Sequence, residues 1–542
     1  MAPHPTPSPK EREEAFELFR QGDLEEARQL FSRLCRADPG DAEAWLLNGL
    51  CHRGLGHGEE ATRCLERAVE ADPIDPDCRA ALGRTLLDRR LAGAAAKAFR
   101  EGIRISSAHE DCRRGLVLAL VAGGRYREAI EEAEAAQEMG IESIELYAQC
   151  ATAYERIHRL EEARAAAEHA LELAPNHPRA AFTLAQVEAR SGDLAAARKR
   201  LEGLLHGQLS PFQYGAAAAE LGKILDRQGE HDTAFAAFTA SNKAISTTFD
   251  PKAVDVDAIF KAIERDRAYF TTEQTTTWRD DEPDDETPSP IFLVGFPRSG
   301  TTLTEQLLAS LHSVVVSDEQ PILDRLFQDA PGLLKRKVPY PEGLASFTPT
   351  DLAWLRLHYW TLVEEMVGPV PDGGAFVDKL PLNLLKLGAI HRIFPRAKIV
   401  VLLRDPRDCC LSCYMRAFVP NQAMVNFLDL KRTARFYAAA MDLLRHDRDA
   451  LPLDYLELRY EDLVADLEGG ARRLLDFLDL PWDDAVLRFH EQAGNRNVTT
   501  PSYAAVASPI YQHAVGRWQS YDKQLAPILP VLAPYVEAFG YR

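Results

Sequence analysis

The sequence predicts an all-α repeat solenoid followed by a three-layer α/β domain with a central parallel sheet. Alanines recur every 34 residues through the N-terminal half, which is typical of repeated helix pairs. In the C-terminal half, short apolar runs alternate with helical patterns, as expected for parallel strands covered by helices. We expect a flexible N-terminus at 1–9, the solenoid at 10–245, a connecting helix and acidic linker at 246–289, and the α/β domain at 290–542.

The repeat pattern depends on six alanines and on the residue four positions after each. The alanines are Ala27, Ala61, Ala95, Ala129, Ala163 and Ala197. The residues that follow are Phe31, Leu65, Phe99, Ala133, Ala167 and Leu201. A 34-residue period with Ala-x-x-x-Phe and a late proline is the tetratricopeptide pattern of two antiparallel helices. A seventh, drifted copy has Ala234 and Phe238, so we expect six to seven repeats.

Such a solenoid presents a concave groove that often binds peptides. We therefore expect the groove to recruit a protein or peptide substrate. Two alternatives stay open, namely self-association into a homodimer and a brace for the second domain.

Composition excludes several classes of protein. The net charge of −19 argues against a general nucleic-acid binder and against anionic membrane surfaces. The sequence contains no run of about 18 apolar residues, so we expect no membrane insertion. The N-terminus has no apolar stretch, which suggests a cytoplasmic protein. The nine cysteines include no Cys-x-x-Cys pair with histidines, so we expect reduced thiols and no metal site.

The stretch 291–302 reads as strand, Gly/Pro loop and helix start. Free N–H groups and the positive end of a helix make such a loop an anion site. The spacing is almost that of a P-loop, with Gly300-Thr301-Thr302 where a nucleotide triphosphatase has Gly-Lys-Ser/Thr. Thr301 replaces the lysine, and Arg298 supplies a cation beside Ser299 instead. We expect a phosphate-like group here, but not the usual magnesium-bound triphosphate.

Three further apolar runs end in charged residues, at Glu319, Lys379 and Arg404. Ligands of open α/β sheets bind at the carboxyl ends of the strands, so these side chains should meet Arg298 at one edge. Asp408 is expected to cap a helix that carries Ser412 and Arg416 on one face. In a pocket otherwise built for anions, the lone carboxylate of Glu319 is a candidate base.

At this point the residues resemble the sulfotransferases that use 3′-phosphoadenosine 5′-phosphosulfate (PAPS), and among them the protein-tyrosine sulfotransferases. The segment 297–302 looks like the family's 5′-phosphosulfate loop. The resemblance implies a P-loop-like sulfotransferase fold. It also implies that PAPS, without a metal, donates a sulfuryl group to an acceptor hydroxyl.

The resemblance further implies roles for single residues. Arg404 and Ser412 would hold the 3′-phosphate, Arg416 would add a contact, and Tyr460 would lie by the nucleotide. Glu319 would be the general base and Lys379 the catalytic lysine, with Arg298 beside the sulfuryl group. Ser502 and Arg517 match a late serine and a lysine that contact the donor, and Ser502 would also take part in catalysis.

The leading expectation is a sulfotransferase acting on a protein tyrosine recruited by the repeats. The alternatives are a carbohydrate or lipid hydroxyl as acceptor, and a tetratricopeptide scaffold with an inactive nucleotide-binding domain. A P-loop kinase is disfavoured because the loop lysine is absent. Tyr511-Gln512-His513 stands where soluble small-molecule sulfotransferases have Arg-Lys-Gly, which argues against that branch.

Overall fold

The computed structural model describes residues 9–249, 254–278, 287–490 and 514–542. The chain divides into two compact units, Met1–Ala197 and Arg198–Arg542. The first is helical, and the second contains a parallel sheet flanked by helices, which confirms the predicted fold class. Within the described ranges, no helix has both the length and the apolar character of a membrane span.

Fourteen helices fill the described residues up to 246, and each is joined to the next by a short connection. In chain order, α1 to α14 are Pro9–Gln21, Leu24–Ala37, Ala42–Gly54, Gly58–Ala71, Pro76–Asp88, Ala92–Ile105, Glu110–Ala122, Tyr126–Glu138, Ile144–Arg156, Leu160–Leu173, Pro178–Arg190, Leu194–Leu205, Pro211–Arg227 and His231–Ser246.

The period-34 alanines lie on the second helix of each pair and are buried, as the pattern predicts. Small residues also allow the helices to approach each other closely. A Cβ atom on Gly83 of α5 would lie 2.6 Å from the ring of Phe99 on α6. Packing of this kind is possible only because position 83 has no side chain.

The helices α13 and α14 belong to the same compact unit as the sheet. Asn242 donates a hydrogen bond of 2.9 Å to the carbonyl of Tyr414, whose ring stacks on Phe235. Arg517 forms an ion pair of 2.7 Å with Asp226. The seventh repeat-like pair is thus anchored to the α/β part, while the domain limits at 245 and 290 stay predictions.

The sheet of the second unit has five parallel strands in the order β2-β3-β1-β4-β5. In chain order, β1 to β5 are Ile291–Gly295, Val314–Val316, Ala375–Lys379, Lys398–Leu403 and Asp454–Arg459. Their carboxyl ends lie at one edge because all five strands run in the same direction. The central strand β1 is buried along its whole length, as expected for an apolar parallel strand.

Helices cover both faces of this sheet. The remaining α-helices of the described residues, α15 to α26, are Ala258–Tyr269, Thr272–Thr276, Thr301–Ala309, Ile322–Leu333, Pro349–Met366, Leu387–Ile393, Pro406–Tyr414, Leu430–Ala450, Tyr460–Ala465, Leu467–Leu478, Asp522–Leu525 and Leu529–Ala538. Short 3-10 helices occupy Glu342–Ser346, Pro381–Lys386, Met424–Leu428, Asp484–Arg488 and Arg517–Tyr521.

Alternate residues of β1 pack into different layers, as the pleat of a strand requires. Leu293 shares a core cluster with Leu474 of α24. Phe292 contacts the rings of Tyr359 on α19 and Phe394 just after α20. These contacts produce the helix–sheet–helix sandwich that the sequence predicts.

Two local predictions are wrong. Asp405, and not Asp408, caps α21, because its side chain accepts a hydrogen bond from the amide of Arg407. Asp408 lies inside the first turn and accepts hydrogen bonds from the amides of Gly516 and Trp518. In addition, α21 ends at Tyr414, so Arg416 lies beyond the helix and does not share its face with Ser412.

Candidate active site

The loop between β1 and α17 brings backbone N–H groups to the sheet edge. Arg298 has φ 72° and Gly300 has φ 109°, so both adopt left-handed backbone conformations. Gly300 precedes the first residue of α17, and a Cβ there would lie 2.6 Å from the ring of Tyr460. Glycine is therefore required, and the tight turn directs the first amides of the helix towards an incoming anion.

A cavity of about 930 Å³ opens at this edge of the sheet. Its volume is within the range of small-molecule sites. Seven of the residues predicted from the sequence line it, namely Arg298, Gly300, Thr301, Thr302, Glu319, Arg404 and Tyr460. The structure thus brings together the loop, the candidate base Glu319 and Arg404, which is one of the two residues expected to hold the 3′-phosphate.

Lys379 lies beneath the cavity at the end of β3. Its ammonium is fully buried and contacts Glu319 at 2.8 Å and Glu305 at 2.9 Å. Burial alone would lower the pKa of Lys379, but the two carboxylates outweigh it and raise the pKa above the ordinary value of 10.5. Lys379 therefore stays charged and holds Glu319, whose side chain is one-third exposed.

Glu305 is the functional candidate that sequence reasoning missed. It lies on α17, one turn after Thr301, and is fully buried. Burial raises its pKa to about 7, against the opposing effect of Lys379. The sequence signal for Glu305 is a charged residue within the apolar pattern of α17. A glutamate is almost never fully buried without a partner, so its position indicates a buried cation nearby.

Arg404 is held at the end of β4 by contacts on several sides. Its guanidinium donates hydrogen bonds to the carbonyls of Arg298 at 3.0 Å and Ala514 at 2.5 Å. The same group lies 5.0 Å from the centre of the Tyr460 ring, which begins α23 directly after β5. This stacking fixes the orientation of both side chains.

Ser412 lies next to the loop, because Arg298 Nε donates a hydrogen bond of 3.1 Å to its hydroxyl oxygen. The buried Ser299 and the residues Lys379, Ser412, Arg416 and Arg517 do not line the cavity itself. Arg517 is paired with Asp226 of α13. Ser502 and Tyr511-Gln512-His513 lie outside the described residues.

The nine cysteines, all within the described ranges, are buried free thiols. This agrees with the expectation of reduced cysteines. Cys413 of α21 supports the loop, since its thiol donates a hydrogen bond to the carbonyl of Pro297 at 3.3 Å.

Comparison with known proteins gives matches in both parts of the chain. Residues 290–484 match the sulfotransferase family. Residues 18–85 and 150–214 match tetratricopeptide repeats. A crystal structure of a tetratricopeptide repeat protein from Parabacteroides merdae covers 45% of this chain and 94% of its own, at 15% identity and a TM-score of 0.39.

Relatives with similar sequences include three proteins from different organisms. An uncharacterized protein of Aquifex aeolicus is 30% identical over 61% of this chain. The match covers only 43% of the length of the Aquifex protein. Protein-tyrosine sulfotransferase A of Caenorhabditis elegans is 25% identical over 49% of this chain and 71% of its own. Human protein-tyrosine sulfotransferase 1 is 24% identical over 46% of this chain and 69% of its own.

The matched sulfotransferase segment begins just before β1 and includes the loop, Glu319, Lys379 and Arg404. The chain therefore combines segments that match tetratricopeptide repeats with a segment that matches the sulfotransferase family and resembles the protein-tyrosine sulfotransferases.

Proposed function

We propose that this chain transfers a sulfuryl group from PAPS to a hydroxyl of a protein tyrosine that its repeats recruit. The observation that carries the proposal is the pairing of Glu319, which lines the cavity, with the buried cation Lys379 beside an anion-binding loop. The sulfotransferase-family match and the protein-tyrosine sulfotransferase relatives support the same chemistry.

The residues at the loop fit a donor that carries several negative charges. Ser299 Oγ and Arg404 Nε are buried, and the described residues offer neither a hydrogen-bond partner. Buried polar atoms are normally satisfied, and Arg404 lines the cavity, so its unsatisfied Nε suits an anionic ligand there. Arg298, Ser299, Gly300, Thr301 and Thr302 would hold the 5′-phosphosulfate end. The 3′-phosphate contacts would come from Arg404, Ser412 and Arg416, with Tyr460, Ser502 and Arg517 completing the site.

When bound, PAPS supplies a sulfuryl group whose bond to the 5′-phosphate oxygen breaks as a bond to the acceptor oxygen forms. Glu319 takes the proton of the acceptor hydroxyl. The negative charge that develops on the leaving oxygen is stabilised by Lys379, Arg298 and the loop amides. No metal is needed for this stabilisation. Glu305 keeps Lys379 in place and charged.

The repeats supply the reason for preferring a protein acceptor. Tetratricopeptide solenoids commonly bind peptides, and two segments of this chain match that repeat. A carbohydrate or lipid hydroxyl is the second candidate acceptor, because the sulfotransferase match by itself does not specify the hydroxyl. An inactive domain on a repeat scaffold is disfavoured by the Lys379–Glu319 pair, which a purely structural sheet edge does not need.

The decisive experiment is calorimetric titration of the full chain with the desulfated product PAP and separately with ATP and magnesium, followed by incubation with PAPS and tyrosine peptides. Binding of PAP in the micromolar range, much weaker binding of ATP and mass-spectrometric sulfation of tyrosine would support the proposal. Preferential binding of ATP with magnesium would favour a kinase. Absence of binding by either nucleotide would favour the inactive scaffold.

A further inference from the structure

A short segment near the C-terminus, residues 514–521, connects the cavity to the last repeat-like helix pair. We call this segment the C-terminal strap. Its first residue, Ala514, lines the cavity, and the carbonyl of Ala514 accepts a hydrogen bond from the guanidinium of Arg404 at 2.5 Å. The later part of the strap contacts Asp226 of α13. The strap therefore touches an expected donor-binding residue at one end and a repeat-like helix at the other.

Asp226 binds the C-terminal strap through two side chains. One carboxylate oxygen forms an ion pair of 2.7 Å with Arg517, and the other accepts a hydrogen bond of 3.3 Å from Arg517 Nε. The second oxygen also accepts a hydrogen bond from the hydroxyl of Tyr521, which is fully buried. A two-pronged contact between arginine and carboxylate fixes the geometry of both partners. Asp226 thus holds this end of the strap in one position on α13.

The inner part of the C-terminal strap is fixed from α21. Asp408 accepts hydrogen bonds of 2.8 Å from the amides of Gly516 and Trp518. Gly516 has φ 70°, a left-handed conformation that glycine adopts without steric cost. This turn stands between Ala514, which lines the cavity, and Arg517, which pairs with α13. The strap is therefore a short bridge with a carboxylate anchor on each side.

The same helix pair also supports the loop between β1 and α17. Asn242 of α14 donates a hydrogen bond of 2.9 Å to the carbonyl of Tyr414 at the end of α21, and the hydroxyl of Tyr414 lies 3.0 Å from that of Thr239. The preceding residue, Cys413, donates a hydrogen bond to the carbonyl of Pro297 in the loop. Two routes of direct contacts thus lead from α13 and α14 to the groups expected to bind the donor.

From these contacts we infer that the pair α13–α14 is part of the donor site and that Asp226 is a positioning residue for donor binding. The inference rests on the proposed function, in which Arg404 binds the 3′-phosphate of the donor. Asp226 acts through the C-terminal strap, which keeps the carbonyl of Ala514 on the guanidinium of Arg404. An arginine that is already held in place loses less freedom when it binds an anion, so its affinity for that anion is higher.

Removal of the Asp226 carboxylate should weaken donor binding. In Asp226→Ala the C-terminal strap loses its anchor on α13, so we expect the Kd of PAP to rise about fivefold. Calorimetric titration of the full chain measures this change. A role confined to stability would lower the midpoint of thermal unfolding and leave the Kd of PAP as it is.

Asp232→Ala is the matched control. Asp232 of α14 accepts a hydrogen bond from Gln524 of α25, which lies beyond the C-terminal strap. The variant therefore removes a carboxylate contact of the same helix pair without affecting the strap, and its Kd for PAP should equal that of the unmodified protein. Tyr521→Phe is a milder second variant, which removes one hydrogen bond to Asp226 and keeps the buried ring. It should weaken PAP binding about threefold, and it tests the inference even where Asp226→Ala does not fold.

Hydrogen exchange provides an independent readout, because coupling between two sites is reciprocal. If Asp226 transmits the position of α13 to Arg404, binding of PAP must in turn stabilise α13. In the unmodified protein, PAP should slow amide exchange in the loop, in the C-terminal strap and in α13. In Asp226→Ala, saturating PAP should still protect the loop but no longer α13.

Three outcomes would count against these statements. If folded Asp226→Ala or Tyr521→Phe protein binds PAP as tightly as the unmodified protein, the inference is wrong and the proposed function stands. Tighter binding by Asp226→Ala would also overturn the inference, since Asp226 would then compete with the donor for Arg517. If the unmodified protein does not bind PAP, the proposed function itself fails.

Discussion

The ammonium of Lys379 lies 2.9 Å from the carboxylate of Glu305, and both side chains are completely buried. Breaking a buried pair by removing one partner is costly, because the other charge is left without compensation. The pair therefore fixes Lys379 at the end of β3, where its second contact with Glu319 connects the protein interior to the cavity.

Glu319→Gln should separate binding from catalysis. The amide keeps the size of the side chain but cannot take the acceptor proton, so kcat should fall by about 100-fold or more. Binding of PAP, measured by calorimetry, should be almost unchanged. Glu364→Gln on the exposed side of α19 is the control and should leave kcat as it is. A Glu319→Gln enzyme with full turnover would remove Glu319 from the base role.

Glu305→Gln should act through Lys379. Burial lowers the pKa of Lys379 and the two carboxylates raise it, so loss of Glu305 must lower that pKa. Lys379 then loses its proton at a lower pH, and the alkaline decline of kcat should begin at lower pH than in the unmodified protein. The pH profile of kcat measures this. An alkaline limb that does not move would mean that Glu305 is merely structural.

Arg404→Ala should weaken donor binding. The guanidinium would make a charge-assisted hydrogen bond to the 3′-phosphate, so the affinity for PAP should fall by about 2–3 kcal/mol. Arg472 on α24 is half-exposed and pairs with Glu468, which makes Arg472→Ala a matched loss of one arginine. The 3′-phosphate assignment is wrong if the two variants bind PAP equally well in calorimetry.

Asp378→Asn should change how stability depends on pH. Asp378 is fully buried and accepts hydrogen bonds from Tyr359 at 2.7 Å and Asn383 at 3.3 Å. Burial raises its pKa from 3.8 to about 7. A carboxyl whose pKa is higher in the folded state takes up a proton on folding, so the free energy of unfolding falls as pH rises from about 4 to about 7.

The side chain of asparagine in the Asp378→Asn variant takes up no proton on folding. The variant should therefore lose less stability between these pH values, and its advantage over the unmodified protein should grow with pH to a few kcal/mol. Denaturant titrations at pH 4.5, about 6 and about 7.5 would measure the difference. Glu305 titrates in the same range, so part of the slope should remain. Parallel stability curves for the two proteins would contradict the assignment.

Much of the fold was predictable because its signals are local. The 34-residue period identified the buried alanines of the helix pairs, and the bounds predicted for β3 match the structure. The sequence analysis does not predict the strand β5. Only Leu456 and Leu458 of this strand are buried, so it has no continuous apolar run. Tyr460 was recognised from its motif alone, although it stands directly after this strand.

The sequence by itself determined the solenoid, the loop and the sheet edge at which Arg298, Glu319, Lys379 and Arg404 meet. Parallel strands with apolar cores leave their final residues at one edge, so the order of residues was enough for this. Only the tertiary structure decided that Glu305 pairs with Lys379, that α14 contacts Tyr414 of α21 and that Asp226 of α13 pairs with Arg517. The pairing of β1 with β3, with Leu293 opposite Lys379, brings α17 and the lysine together, and no local pattern contains a contact between positions 74 residues apart.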